Sequence, residues 1–277
     1  MFRFLARLGR LLVVIGVLHV PTARAQARDM VLATTTSTED SGLLDSLLPV
    51  FSGGSGIEVK VIAVGSGAAL AMARTGDADA VLVHAPQAER SYVESGDLVE
   101  GRRIMHNDFL IVGPAGDPAG AGGTGDLAAA MRRIAPAGPF ISRGDGSGTE
   151  KKELELWKAA GVEPAKVHRR EESGQGMGAT LFIASERRGY TLTDRGTYLA
   201  IRGRLDLVPL VEGDPGLLNI YHAYVVNPAR HRKVKPDEAR AFVAFLASEP
   251  AQTLIGAFGR SRFGQPLFFP DAGKGLP

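Results

Sequence analysis

Short β-type runs alternate with amphipathic stretches along most of the chain, joined by loops rich in glycine or hydroxyl residues. MVLA (30–33) leads to GLLDSLLPVF, IEVKVIAV (57–64) to AALAMAR, and DAVLVHA (79–85) to QAERSYVES. Parallel strands can be connected only through a crossover, and an amphipathic helix is the usual one. The alternation therefore predicts an α/β fold in which mostly parallel sheet is flanked by helices.

The series breaks and restarts. A long apolar strand, IMHNDFLIVGP (104–114), leaves the first set, and GPAGDPAGAGGTGD (113–126) reads as a flexible connection. A second set follows with FIS (140–142), TEKKELELWKAAG, GATLFIASERRG, YTLT and DLVPLV, after which IYHAYVVNP (220–228) is long enough to cross back. The amphipathic pair DEARAFVAFLAS and EPAQTLIGAFG is expected to pack on the first set. These boundaries predict two lobes, residues 26–112 with 222–277 and residues 113–221, joined by two hinge crossings. Ligands of open α/β sheets bind in the crevice at the strand ends, which here is the cleft between lobes.

Residues 1–25 read as an export signal. Arg3, Arg7 and Arg10 precede the apolar run LLVVIGVLHV, and Ala23-Arg24-Ala25 offers a small-x-small cleavage site. The run covers only residues 11–20, short of the roughly 20 apolar residues a membrane span needs. Cleavage removes four arginines and no acid, so the formal charge falls from +2 to −2. Such a surface gives no electrostatic case for nucleic acid or membrane binding. The chain has no cysteine, which excludes disulfides, thiolate metal sites and a lipid-anchored N-terminal cysteine. A soluble, monomeric periplasmic protein is the expectation.

Four loops at predicted strand ends carry the candidate chemistry. TTTST (34–38) places hydroxyls, among them Thr35, Thr36 and Ser37, beside the unpaired N–H groups of a helix start, which makes an anion site. N-capping explains one hydroxyl but not five. VGSG (64–67) offers Ser66 and the backbone of Gly67, although a simple turn accounts for it equally well. SRGDGSGT (142–149) combines Arg143, which can hold two oxygens with a forked pair of hydrogen bonds, with donors from Ser147, Gly148 and Thr149. The bland alternative there is a surface arginine ahead of a capped helix. ESGQGMGAT (172–180) stays open between cleft lining and a mobile glycine loop, and so do Asp79, Asp145 and His84 between cleft and scaffold.

Taken in order, LATTTSTEDSGLL, VKVIAVGSGAAL, DADAVLVHAP, MHNDFLIVGP, ISRGDGSGTEKKELELW, SGQGMGATL, YTLTDR, PLVEGDPGLLN and FGQPLF make the chain resemble the periplasmic tungstate-binding proteins, within the type II periplasmic binding-protein class. The resemblance spans nearly the whole mature chain. It implies a two-lobed binding protein that closes on a tetrahedral oxyanion and delivers it to the membrane permease of an ABC transporter. It also implies that Thr35, Thr36, Ser37, Ser66, Arg143, Ser147 and Thr149 hold the anion, with no cofactor and no metal bound as a cation. Molybdate stays open because it matches tungstate in charge and shape. Phosphate stays open too, since Arg-x-x-x-Ser-Gly-Thr also resembles phosphate binders and Asp79 or Asp145 can turn inward to accept its proton. The rival from another class is a secreted hydrolase using a serine with His84 or His222. No G-x-S-x-G elbow, H-E-x-x-H pair or G-K-[ST] phosphate loop supports it.

Overall fold

A computed structural model describes residues 28–275; the expected export signal lies outside them. In chain order the elements are β1 (Arg28–Thr35), α1 (Thr36–Asp40), α2 (Leu43–Ser55), β2 (Ile57–Val64), α3 (Ser66–Thr75), β3 (Ala80–Val83), α4 (Pro86–Glu94) and β4 (Leu98–Pro114). They continue with α5 (Leu127–Ala137), β5 (Phe140–Ser142), α6 (Gly148–Ala159), β6 (Arg170–Glu172), α7 (Met177–Arg187), β7 (Thr191–Asp194) and α8 (Arg195–Ile201). The last are β8 (Leu207–Val211), β9 (Leu218–Val226), α9 (Pro236–Leu246), α10 (Glu249–Ala257), α11 (Arg260–Phe263) and β10 (Phe269–Pro270).

The strands closed by βα units pair in parallel. β1 lies between β2 and β3, in register from Arg28 opposite Ile57 to Thr35 opposite Val64. In the second half β5 pairs in parallel with β6, and Phe140 bridges to Tyr190, also in parallel. Side chains of β1 alternate across the sheet as the pleat requires. Met30 and Leu32 join one core with Leu43, Leu47 and Phe51 of α2 and Phe242 of α9, whereas Ala33 joins another with Ala69, Leu70 and Ala73 of α3. The closing helices α9 and α10 pack against β9, β1 and α2, as their amphipathic patterns predict.

The two long strands run antiparallel to their neighbours and carry the chain between the two sets. β4 pairs with β9 from Leu98 to Asp108, then turns to β7 and β8 from Phe109 to Pro114. This exchange, and the start of β9 at Leu218, each fall four residues ahead of the boundaries expected at 112/113 and 221/222. At the exchange Arg195 grips both oxygens of Asp108, at 2.8 and 2.6 Å.

Two segments differ from the sequence reading. β4 takes in Gly113 and Pro114, and the rest of the stretch, 115–126, forms no helix or strand, yet it is anchored: Gly122 N donates to Asp117 at 2.7 Å and Ala119 N to the Tyr190 hydroxyl at 2.8 Å. It leads into α5, which the sequence reading left out although Leu127, Ala130, Met131, Ile134 and Ala135 recur at helical spacing. Asp126 caps it by accepting from Ala128 N and Ala129 N.

Beneath α4 lies a buried polar cluster. One Glu89 oxygen accepts from Ala85 N at 2.6 Å, and the other accepts from the Tyr224 hydroxyl at 3.0 Å and His222 Nδ1 at 2.6 Å. His222 is thus a scaffold residue, fully buried and outside the cleft lining. Glu89→Ala strands three buried donors at about 1–3 kcal/mol each before relaxation, so a net loss of about 3 kcal/mol is expected. Urea denaturation measures it; a loss under about 1 kcal/mol contradicts the assignment.

Candidate functional site

The C-terminal ends of β1, β5 and β7 open on one cleft of about 880 Å³. Thr36 and Ser37 at the start of α1 form part of one wall; Arg143, Thr149 of α6, the stretch 176–179 opening α7, and Asp194, Gly196 and Thr197 at α8 form the other. His84, Asn107, Asn219 and Tyr221 also line it, and an apolar end is made by residues such as Phe258, Phe263, Leu267 and Phe268. Four helices thus begin at the cleft. Their first N–H groups have no partners within the helix, and their dipoles place positive potential where those groups point. α7 begins at Gly176, which has no side chain to cap it, so its first amides stay available.

The TTTST hydroxyls divide by position. Thr34 donates to Leu82 O at 2.7 Å inside the sheet, and Thr35, the N-cap of α1, accepts from Thr38 N. The Thr35 hydroxyl also lies 2.6 Å from that of Thr38, 3.1 Å from that of Ser37 and 3.1 Å from His84 Nε2. Thr35 and Thr38 are buried, whereas Thr36 and Ser37 are exposed along the cleft. The helix start in the middle of the motif turns successive hydroxyls to different sides.

On the opposite wall the SRGDGSGT turn needs positive φ at Gly144 and Gly146, +61° and +72°, which glycine adopts without strain. Arg143 donates through one terminal amine to Asp145, while its Nε is buried with no partner. Asp145 also accepts from Ser147 N at 3.1 Å. Burial pushes the Asp145 carboxyl up, but the Ser147 bonds and the Arg143 charge outweigh it and hold it below the ordinary value. Ser147 caps α6 by accepting from Glu150 N, and the Glu150 carboxylate accepts from Gly146 N, one residue ahead of the cap. Gly148 is where the walls touch: a Cβ there would lie 3.1 Å from His84 Cε1.

Of the nine sequence-predicted residues, Thr36, Ser37, Arg143 and Thr149 line the cleft. Thr35, Ser147 and Gly148 stand directly behind these. Ser66 is buried at the start of α3 and Gly67 is exposed; neither is in the lining. The 176–178 part of the glycine loop is cleft lining. Asp79 is structural, accepting from Val31 N and Lys235 N, each at 2.7 Å.

His84 closes a polar network behind the hydroxyls. Its Nδ1 donates to Asn219 Oδ1 at 2.9 Å, and the Asn219 amide donates to Asn107 Oδ1 at 2.7 Å and to the Tyr221 hydroxyl at 3.2 Å. The ring stacks on Tyr221 with centroids 4.6 Å apart. Desolvation holds His84 below the ordinary histidine value, and burial pushes the Tyr221 phenol up.

A family described as the PBP superfamily domain matches residues 20–250. The tungstate-binding protein TupA of Peptoclostridium acidaminophilum is 46% identical over 255 residues, 91% of this chain and 89% of that protein. The chain belongs to the tungstate-binding family of the PBP superfamily. Among solved structures, tungstate-binding TupA from Desulfovibrio alaskensis G20 is 47% identical with a TM-score of 0.81, over 89% of this chain and 100% of that one. The tungstate ABC transporter structure from Geobacter sulfurreducens is 46% identical with a TM-score of 0.73, over 83% and 98%.

Against this family's fold, the residues that sequence reading missed are Asn107, Asn219, Tyr221 and the Asp194 to Thr197 turn. The signal was available: Asn107 and Asn219 are amides inside the two apolar strands that cross between sets, and an amide buried there needs a polar network. Asp194 in turn is spent on Thr197, accepting from its N at 2.8 Å and its hydroxyl at 2.7 Å. The contact at Gly148 generates a prediction. Gly148→Val wedges α6 away from His84, and oxyanion affinity by calorimetry is expected to weaken at least about tenfold, or about 1.4 kcal/mol.

Proposed function

We propose that this chain, after loss of residues 1–25, is a soluble periplasmic monomer that captures tungstate and delivers it to the membrane permease of an ABC transporter. The observation that carries the reading is the buried Arg143 Nε without a partner, in a cleft where Thr36, Ser37, Thr149 and the uncapped start of α7 are donors. A dianion leaves water only where many donors replace its hydration, and a guanidinium adds charge in a forked geometry.

The cleft favours a fully deprotonated anion over phosphate. Phosphate carries a proton near neutral pH and gains from an acceptor carboxylate. Asp145 is committed to Arg143 and Ser147, Asp194 to Thr197, and Asp79 to the backbone. Asp40, the last residue of α1, is the one of these carboxylates that lines the cleft uncommitted, and its exposure to solvent lessens what it offers a phosphate proton.

In the proposed cycle, tungstate settles among the hydroxyls of one lobe and then gathers Arg143, Thr149 and the α7 amides from the other. Closure bends the chain at the two crossings, Asp108 to Phe109 and Leu217 to Leu218, and the ligand shifts the population toward the closed form by contacts made only there. The permease reads the closed surface. Binding and release need no chemical step.

Competition calorimetry with tungstate, molybdate, sulfate and phosphate tests the reading. Tungstate is expected to bind one-to-one and to outcompete sulfate and phosphate; tighter binding of phosphate discards it. Arg143→Ala is expected to weaken tungstate binding at least about 100-fold, about 2.7 kcal/mol or more, because it removes a cationic partner able to hold two oxygens.

A further inference from the structure

The polar network behind the cleft fixes the protonation pattern of His84. The Asn219 amide nitrogen is committed to Asn107 and Tyr221, so its oxygen faces His84 Nδ1, and Nδ1 carries the hydrogen. In the neutral ring Nε2 then holds a lone pair and can only accept. The partners within reach are the Thr35 hydroxyl at 3.1 Å and the Ser37 hydroxyl at 3.3 Å. A hydroxyl has one proton. Given by Ser37 to Nε2, it is withheld from the cleft, and a Ser37 lone pair faces the place where a dianion needs donors.

Adding a proton at Nε2 reverses this. The ring becomes a donor to the same hydroxyls, the Ser37 proton is freed toward the cleft, and a positive charge appears behind the anion-binding wall. The groups around the ring allow the change. Glu89 on α4 and Asp194 at the end of β7 favour the charged form, Tyr221 of β9 stacks as a neutral phenol, and across the cleft the Arg143 charge is already offset by Asp145. Gly148 of α6 abuts the ring without adding charge. In the empty cleft desolvation prevails and holds the ring below the ordinary histidine value, so it is neutral at neutral pH.

We propose that His84 takes up one proton from solvent each time the cleft captures its oxyanion, and so serves as a second cationic partner beside Arg143. Only an N–H bond forms, and the proton leaves again when the anion is released. The inference rests on the oxyanion reading of the cleft.

Linkage fixes the sign. The loaded state has the higher His84 pKa, so affinity is greatest below the pKa of the empty form and falls as pH rises through the window between the two. The mature protein is titrated with tungstate from about pH 6 to about pH 9, a range bracketing the ordinary histidine value, in two buffers of different ionisation enthalpy. The expected result is uptake approaching one proton per anion within that window and an affinity that falls about tenfold per pH unit. His84→Gln is expected to bind more weakly, with neither proton uptake nor that slope. Because the variant can perturb the wall, ring ¹⁵N shifts of His84 in the unmutated protein are read as well, and tungstate should convert them from neutral imidazole to imidazolium. One-to-one binding with equal heats in both buffers and a neutral loaded ring overturns the inference and leaves the oxyanion reading standing. Undiminished proton uptake in His84→Gln also overturns it. Absence of tungstate binding overturns both.

Discussion

An ion with two negative charges gives up its hydration only to a surface already equipped with donors, and the fold answers to that constraint. β1, β5 and β7 each end at the cleft, and each is followed by a helix whose first amides have no partner within the helix. Where α1, α6 and α8 receive caps, the caps come from Thr35 and Asp194 at strand ends and from Ser147 in the turn after β5. Glycine at the start of α7 leaves its amides open. In the proposed mode of binding, Arg143 adds the charge that neutral donors lack.

Bringing two walls together requires that they be held at a fixed distance yet remain separable. β4 and β9 do this together: β4 pairs antiparallel with β9 in one set and with β7 and β8 in the other, and β9 carries the chain back. One apolar cluster continues along them, from Leu47 of α2 and Phe242 of α9 through Leu110 and Val112 of β4 to Ile141 and Leu181. The other two cores are local to each set: Phe140, Trp157 and Tyr190 in one, Ala69, Leu70 and Tyr224 in the other. Asp108 and Arg195 meet where β4 changes partners, so a half-buried ion pair braces the strand at the point where bending concentrates.

The βα rhythm was legible because early strands such as IEVKVIAV and AVLV are short runs rich in β-branched residues and the helices beside them show an apolar face. α5 was legible by the same token, since Leu127, Ala130, Met131, Ile134 and Ala135 recur at helical spacing, yet the sequence reading stops at the glycine-rich stretch before it. The site was legible as a set of loops but not as a set of side chains. TTTST presents five similar residues on paper, yet a strand end and a helix start within the motif send Thr34, Thr35 and Thr38 inward and leave Thr36 and Ser37 along the cleft. Likewise VGSG reads much like SRGDGSGT as a glycine loop, but α3 starts with Ser66 buried and outside the lining. Asn219 and His84 become neighbours only through the pairing of β3 with β9, which no local pattern records.

The Arg143–Asp145 pair shows how such a cleft stays both charged and receptive. A partly buried guanidinium with no counter-ion pays a large desolvation cost, whereas one fully enclosed by carboxylates has no donor left for a ligand. Asp145 engages a single terminal amine and is itself held by Ser147, so Arg143 is oriented while its Nε edge remains unpaired. Lysine cannot reproduce this division of labour: its ammonium is a point charge without a rigid fork, and the same nitrogen would have to serve carboxylate and anion at once.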